Sequence, residues 1–410
     1  MRVAVQFGLE QVELEVGDDC LVEPYGGTPS TGLDDVPAAV ARALETPLAF
    51  PALQKAIVPG DHVAIVLDGG IPRPCDVLGP LIECLAEAGV PRHDILIVEA
   101  SSDDNSQNGL MPDRVPHGIR LAQHDPHDRN RLSYLASTKS GTRVYLNRDV
   151  VDADLVVLVG RVGYHPLLRY RGTCSSLFPG LADEAAQHQF RCRISKPITS
   201  KSQIAARRES DEVAWLLGVQ FAIQIVIGRG NRIVQVLAGH CPDVQREAQR
   251  LLDRNWRQAV PRRAELVIAS ISGPPDIQGF AELGAALESA QGLVREGGRI
   301  VVLSAIDALP GTALKSANML RDPAKTLEHL RSHPSADAIS TWQIVRASHN
   351  SRVYLLSKLA DELVEDLSII PIGSVAEVQR LIDQVQSCLI LNDAQLARVT
   401  VEEEDVESAS

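Results

Sequence analysis

The richest set of reactive side chains lies in one stretch, residues 161–180 (RVGYHPLLRYRGTCSSLFPG). It holds an imidazole (His165), three guanidiniums (Arg161, Arg169, Arg171), a phenol (Tyr170), small hydroxyls (Thr173, Ser175, Ser176) and a thiol (Cys174). Guanidiniums bind carboxylates and phosphates by charge-assisted, often bidentate hydrogen bonds, and an imidazole can carry a proton near neutral pH. The set suits anion binding or proton transfer. The plainer alternative is an Arg-rich surface loop with a helix N-cap at Thr173 or Ser175. Cys174 has no histidine at a spacing that would make it a nucleophile. Arg73, held between Pro72 and Pro74 after an apolar run, is placed for a bidentate contact with a phosphate or carboxylate. Asp68, beside Gly69 and Gly70, could hold a ribose or close the turn, and the turn is favoured. His124, Asp125, His127 and Asp128 form an H-D-x-H-D cluster that Asx turns explain better than a metal does.

These residues need elements to hold them. Residues 153–160 (ADLVVLVG) form a short apolar run entering the reactive loop, the pattern of a buried strand at a ligand-bearing sheet edge. Residues 62–67 (HVAIVL) and 94–100 (DILIVEA) are two more strands, joined by a helix that Asp76 caps, with Val77, Leu78, Leu81, Ile82 and Leu85 on its apolar face. This βαβ unit predicts parallel strands with a right-handed crossover. Residues 2–6 and 11–16 alternate as strands, 36–44 reads as a helix, 219–227 as a strand and 242–258 as a helix. After a hinge at residues 260–263 (VPRR) a second α/β block follows. Its strands are 265–271, 299–304, 352–357 and 388–391, and its helices are 280–294 and others starting near 323 and 375. The acidic end, 401–410, reads as a frayed tail.

The bulk properties narrow the classes. A chain of 410 residues with 45% hydrophobic content has enough material for two cored domains. Its net charge of -13 disfavours a nucleic acid or an anionic membrane as partner, while leaving room for a local basic patch that binds a small anion. No run of about 18 apolar residues predicts a membrane span, and the polar start argues against a signal peptide. Seven scattered cysteines, never in CxxC spacing, point to a reducing cytoplasm and against a zinc ribbon. There is no GxGxxG opening a helix after a strand and no P-loop.

Three segments together resemble the nickel-dependent lactate racemase family: Gln123-His124-Asp125-Pro126, residues 141–155 (GTRVYLNRDVVDADL), and His165 through Tyr170 and Gly172 to Leu177-Phe178-Pro179-Gly180. The resemblance extends to the Arg73 loop. It implies an α/β fold, a 2-hydroxy-acid racemase or epimerase line, and a nickel pincer nucleotide held near Asp68, Arg73, Tyr170, Gly172 and Ser175, with His165 catalytic. It also shows departures. The family's lysine, which anchors the pincer through a thioamide, falls at Ser175, which cannot form that bond. The second catalytic histidine has no counterpart in residues 101–105 (SSDDN). The metal-ligating histidine falls at Arg191, with His188 the nearest substitute. A substrate-binding lysine is missing from residues 273–276 (GPPD).

The sequence therefore predicts two α/β domains, 1–259 and 262–398, each a mostly parallel sheet flanked by helices, with a cleft between them. The functional expectation is a divergent lactate racemase-like protein of reduced or altered activity, with no covalent nickel nucleotide and with a small anionic metabolite as ligand. The alternatives are a cofactor-free pseudoenzyme that binds a carboxylate or phosphate, an enzyme using a non-covalent nucleotide, and a partner-binding subunit.

Overall fold

The computed structural model describes residues 1–17, 21–22, 31–100, 115–320, 322–333 and 335–402. The loop at 26–29, the segment 101–105 and residues 403–410 of the acidic tail lie outside the described residues.

Two six-stranded sheets organise the chain. Across the first, the strands run Ile233–His240, Phe221–Ile227, Leu155–Arg161, Val63–Leu67, Ile95–Glu99 and Arg120–Gln123. The Ile233–His240 edge is antiparallel to its neighbour and the other pairings are parallel. Val63–Leu67 and Phe221–Ile227 are buried along their whole length, which is how a sheet covered on both faces reads in sequence. On one face Ile65, Val157 and Ile223 pack against Val40, Leu44, Leu78 and Ile82 of the helices Val36–Glu45 and Pro74–Glu87. On the other, Val66, Leu158 and Ala222 pack against Leu146, Leu177 and Val213.

The second sheet runs Ile370–Ile372, Arg352–Leu356, Val294–Leu303, Ala264–Ser270, Cys388–Leu391 and Leu21–Val22, all parallel. Its core joins Val267, Ala269, Ile300 and Val302 to Leu283, Leu287 and Ile344 of the helices Phe280–Gln291 and Ala338–Asn350. Two further apolar clusters bridge the halves. One joins Val162, Tyr170, Val226 and Trp256 to Ala397. The other joins Leu168, Phe190 and Ile194 to Leu330 and Ile339.

The start of the chain departs from the expected division at residue 259. The hairpin Arg2–Phe7 and Glu10–Glu15 buries Val5, Leu14 and Val16 against Leu266, Ile268, Val301 and Leu303 of the second sheet. Leu21–Val22 extends that sheet beside Cys388–Leu391. Alternation in residues 2–16 specifies an apolar face but not which core covers it. The helix after Val63–Leu67 also differs in its start. Pro74 is its first residue, where a missing N–H costs nothing, and Arg73 precedes it with φ 53°. Asp76 stands in the first turn, where a carboxylate suits the helix dipole, and is not the cap. No helix among the described residues is long and apolar enough to cross a membrane.

Candidate functional site

Val63–Leu67 and Leu155–Arg161 are parallel neighbours, with Leu67 opposite Val159. From the first of them the chain moves outward to Ile95–Glu99 on one side, then returns to Leu155–Arg161 on the other. The loops leaving the two strands therefore diverge, and a crevice opens at their carboxyl ends. A cavity of about 190 Å³ occupies it, lined by Asp68, Gly70, Arg161, His165, Arg171 and Ser175. Glu282, Ile339 and Gln343 close it from the second half.

The reactive loop forms a small hairpin, Gly163–His165 with Arg169–Arg171, in which Gly163 faces Arg171 and His165 faces Arg169. Three residues in it take positive φ: Arg169 (64°), Gly172 (106°) and Thr173 (47°). Such backbone is held only if its surroundings determine it. Arg207, buried on the helix Ser200–Leu217, does this work. Its Nη1 donates to the carbonyls of Gly172 at 2.9 Å and Tyr170 at 3.4 Å, and its Nη2 to Thr173 Oγ1 at 2.6 Å. Asp211 accepts from its Nε at 3.0 Å. Gly172 has no alternative, since a Cβ there would stand 2.7 Å from Gln224 Nε2.

The charges in the cavity differ in how well they are matched. Arg171 Nη2 lies 3.0 Å from both carboxylate oxygens of Asp68. Asp68 is thus the partner of Arg171, a role neither the ribose nor the turn expectation gave it. Among the described residues Arg161 has no such bidentate partner. Its Nε is buried without a hydrogen-bond partner among the described residues, and its Nη2 comes no closer to Glu282 than 4.0 Å. Burial, with Arg171 nearby, lowers its guanidinium from the ordinary value to about 10, while Glu282 and Asp68 oppose that shift. It is still a cation at neutral pH, with donors to spare.

His165 lines the same cavity. Its Nδ1 accepts from the backbone N–H of Leu167 at 3.1 Å and of Leu168 at 3.2 Å. That network assigns the ring proton to Nε2. Ser175 Oγ accepts from Gly172 N at 2.8 Å and donates to the Gly172 carbonyl at 3.2 Å.

Four other sequence candidates lie outside the cavity. Arg73 is turned by its left-handed backbone toward Asp76, its own helix's first turn, and the two form an ion pair. Tyr170 donates its phenol to Asp253 at 2.7 Å, as Tyr164 does at 2.9 Å, which ties the hairpin to the helix Cys241–Trp256. Burial and Asp253 push both phenols up from their ordinary value, so they remain donors. Gly172 shapes the loop from behind. His188 Nδ1 stands 3.1 Å from Cys192 Sγ. No group of three or more His, Cys, Asp or Glu that could hold a metal occurs among the described residues. The H-D-x-H-D cluster is built from turns. Asp125 accepts from His127 N and Asp128 from Asn130 N, while buried His124 is held through Nε2 by the Ala182 carbonyl at 2.8 Å.

The fold and the site can be set beside known proteins. Residues 7–201 match the lactate racemase N-terminal domain. The lactate racemase of Thermoanaerobacterium thermosaccharolyticum is 20% identical over 365 residues, 84% of this chain and 85% of that protein. The chain is thus similar to lactate racemases, by a domain match over its first half and by a distant relative over most of its length. The structure of that organism's lactate racemase apoprotein superposes with a TM-score of 0.79 at 18% identity, over 97% of this chain and 100% of the other. A Thermotoga maritima protein has the same fold at a TM-score of 0.64, 11% identity, and coverage of 91% and 100%. Within this fold Arg161, legible in sequence only as part of a basic loop, is joined at the site by Arg207 and Glu282, which the sequence did not single out. Arg161 could have been found from its place at the carboxyl end of the third strand. Arg207 lies in a polar helix with no local sign of what it would clamp.

Proposed function

We propose that this chain is a lactate racemase-like protein of the 2-hydroxy-acid racemase or epimerase line, with altered or reduced activity, whose cleft holds a small carboxylate on Arg161. The observation that carries the reading is the Arg161 guanidinium at the sheet's switch point, whose Nε is buried with no hydrogen-bond partner among the described residues. A carboxylate there would supply the missing acceptors in a charge-assisted pair. His165, with its proton on Nε2, lines the same cavity. In that tautomer it takes no proton from the ligand, and racemisation of both enantiomers calls for a base on each face.

The residues present do not fit the family's covalent nickel nucleotide. A serine hydroxyl at 175, engaged with Gly172 through both its donor and acceptor, offers no amine for a thioamide. His188 is engaged with Cys192 outside the cavity. Ser175 is also what favours the second reading, a cofactor-free protein that binds a carboxylate or phosphate metabolite.

Titration calorimetry with lactate tests the binding. Replacing Arg161 by Gln removes hydrogen bonds from a charged donor, roughly 1.5–3 kcal/mol, so binding should weaken about tenfold to a hundredfold. Arg73→Ala should leave it unchanged. Equal affinity in wild type and Arg161→Gln rules the site out. Intact mass after co-production with the cofactor-making enzymes should equal the sequence mass, and an adduct with bound nickel would contradict the cofactor statement.

A further inference from the structure

We infer that a second copy of this chain docks on the outer face of the helix Ser200–Leu217, giving a weak two-fold dimer in which the two helices lie antiparallel.

This helix has two faces of different character. Ala206, Arg207, Ser210, Val213 and Ala214 are buried and hold it to the chain's own core and to the reactive loop. The opposite face carries Ile204, Ala205, Arg208, Glu212, Trp215 and Leu216, which fall within about 120° of one another at 100° per residue. Ile204 is 42% exposed and Trp215 76%. Trp256 is buried and Trp342 half-buried, so Trp215 is the tryptophan left in water. Single exposed apolar residues are ordinary on a protein surface. Here an indole and an isoleucine lie on one line, three helical turns apart, with a cation and an anion between them. Tryptophan in such a stripe is the kind of anchor that protein interfaces use, because it covers much area with few rotatable bonds.

The order of residues along the stripe names the partner. A two-fold axis level with Ser210 and perpendicular to the helix sets each residue before it opposite one equally far beyond it. Arg208 of one copy then meets Glu212 of the other, Ile204 meets Trp215 and Ala205 meets Leu216, and every pairing occurs twice. The three pairs share one centre to within about half a residue, or about 0.8 Å of helix rise. Such a self-complementary patch is what a two-fold interface requires. Parallel packing would instead set Arg208 on Arg208 and Glu212 on Glu212. Arg208 is exposed, and Glu212 accepts from the Lys139 N–H at 2.7 Å through Oε1, which anchors the carboxylate and leaves Oε2 for a partner. The flanking acids do not oppose the approach strongly, because Glu209 is matched by Arg193 and Asp211 by Arg207 within the chain. A contact along one helix lies at the small end of specific interfaces, so the dissociation constant should be on the order of 10–100 μM.

Sedimentation velocity on the full chain, from about 5 to about 500 μM, tests this. Wild type should pass from monomer to dimer over that range. Trp215→Ala removes the anchor, and Arg208→Glu sets like charges against each other at both central pairings. Each should weaken association about tenfold or more. Glu212→Lys alone should do the same. An equimolar mixture of Arg208→Glu and Glu212→Lys chains should dimerise about as well as wild type, because both central pairings are again of opposite charge. Unfolding midpoints check that each variant is folded. If Glu212→Lys unfolds through loss of the Lys139 contact, wild type and the other two variants decide the matter. A wild type that stays monomeric throughout leaves the stripe to a different protein and overturns the inference. A dimer that Trp215→Ala and Arg208→Glu leave intact uses another face and overturns it too, as does a mixture of folded charge variants that remains monomeric.

Discussion

A guanidinium carries five N–H donors, and a polar group buried without acceptors is costly. Arg161 and Arg171 show two ways of meeting that demand at one site: Arg171 is satisfied by Asp68, and Arg161 is left for a ligand. A different buried charge sets part of the pH response. Asp393 is buried and accepts from Gly230 N at 3.2 Å and from the Ser272 hydroxyl. Burial raises its carboxyl from 3.8 to about 6, against the lowering effects of the Gly230 bond and Arg229. The folded chain thus holds this proton more tightly than the unfolded chain. Its contribution to stability is complete below about 3.8 and is lost as pH rises through about 6, a difference on the order of 2–3 kcal/mol. His124 works the other way. Burial lowers its imidazole below 6.5, so its contribution is present above that value and is lost as pH falls through the lowered one. Asp393→Asn keeps an acceptor and removes the titration. Thermal unfolding between pH 5 and 8 should lose less stability toward pH 8 in the variant than in wild type. An unchanged slope would show that Asp393 is not the source. At His165, nitrogen-resolved NMR should find the proton on Nε2, and an Nδ1–H signal would contradict the tautomer assigned from the Leu167 and Leu168 amides.

At the scale of elements, the loop from Arg169 to Ser175 is positioned from behind by Arg207 and by a glycine with φ 106°. Gly172→Ala adds a methyl into Gln224 and strains the backbone, so it should cost about 1–3 kcal/mol of stability and weaken ligand binding with it. Unfolding midpoints and calorimetry check both effects, and an Ala variant as stable as wild type would show that the loop relaxes freely. The central strands were legible because burial on both faces leaves near-continuous apolar runs such as VAIVL and ILIVE. The edge strand Ile233–His240 and the hairpin of Leu132–Ser137 with Arg143–Asn147 were not, because their residues face water and core unevenly. The helix Ala338–Asn350 was missed for the opposite reason. It buries residues around much of its circumference, from Ala338 through Thr341 to Ile344, and so lacks a clear polar face. Of the site, the reactive loop was visible as a cluster of chemistry. Which arginine carries it was not, because Arg171's match with Asp68 spans about a hundred residues and Arg73's turn toward Asp76 depends on a backbone angle.

For the whole molecule, the cleft belongs to both halves. Arg161 comes from the first sheet and Glu282 from the helix Phe280–Gln291 of the second half, with Leu168, Phe190 and Ile339 packed across the same boundary. Glu282 competes with any carboxylate for Arg161, while its Oε2 also accepts from Gly279 N at 3.0 Å. Glu282→Gln retains an acceptor for that cap and removes the competing charge. A partly exposed pair of this kind is worth on the order of 1 kcal/mol, so carboxylate affinity should rise about fivefold, and an affinity that falls would show that Glu282 helps to hold the ligand. The central claim is that Arg161 is where a carboxylate sits. A crystal of the full chain soaked with lactate tests it most directly. The carboxylate should lie within hydrogen-bond distance of the Arg161 guanidinium. A carboxylate on Arg73, or a cleft that stays without ligand at saturating acid, would contradict it.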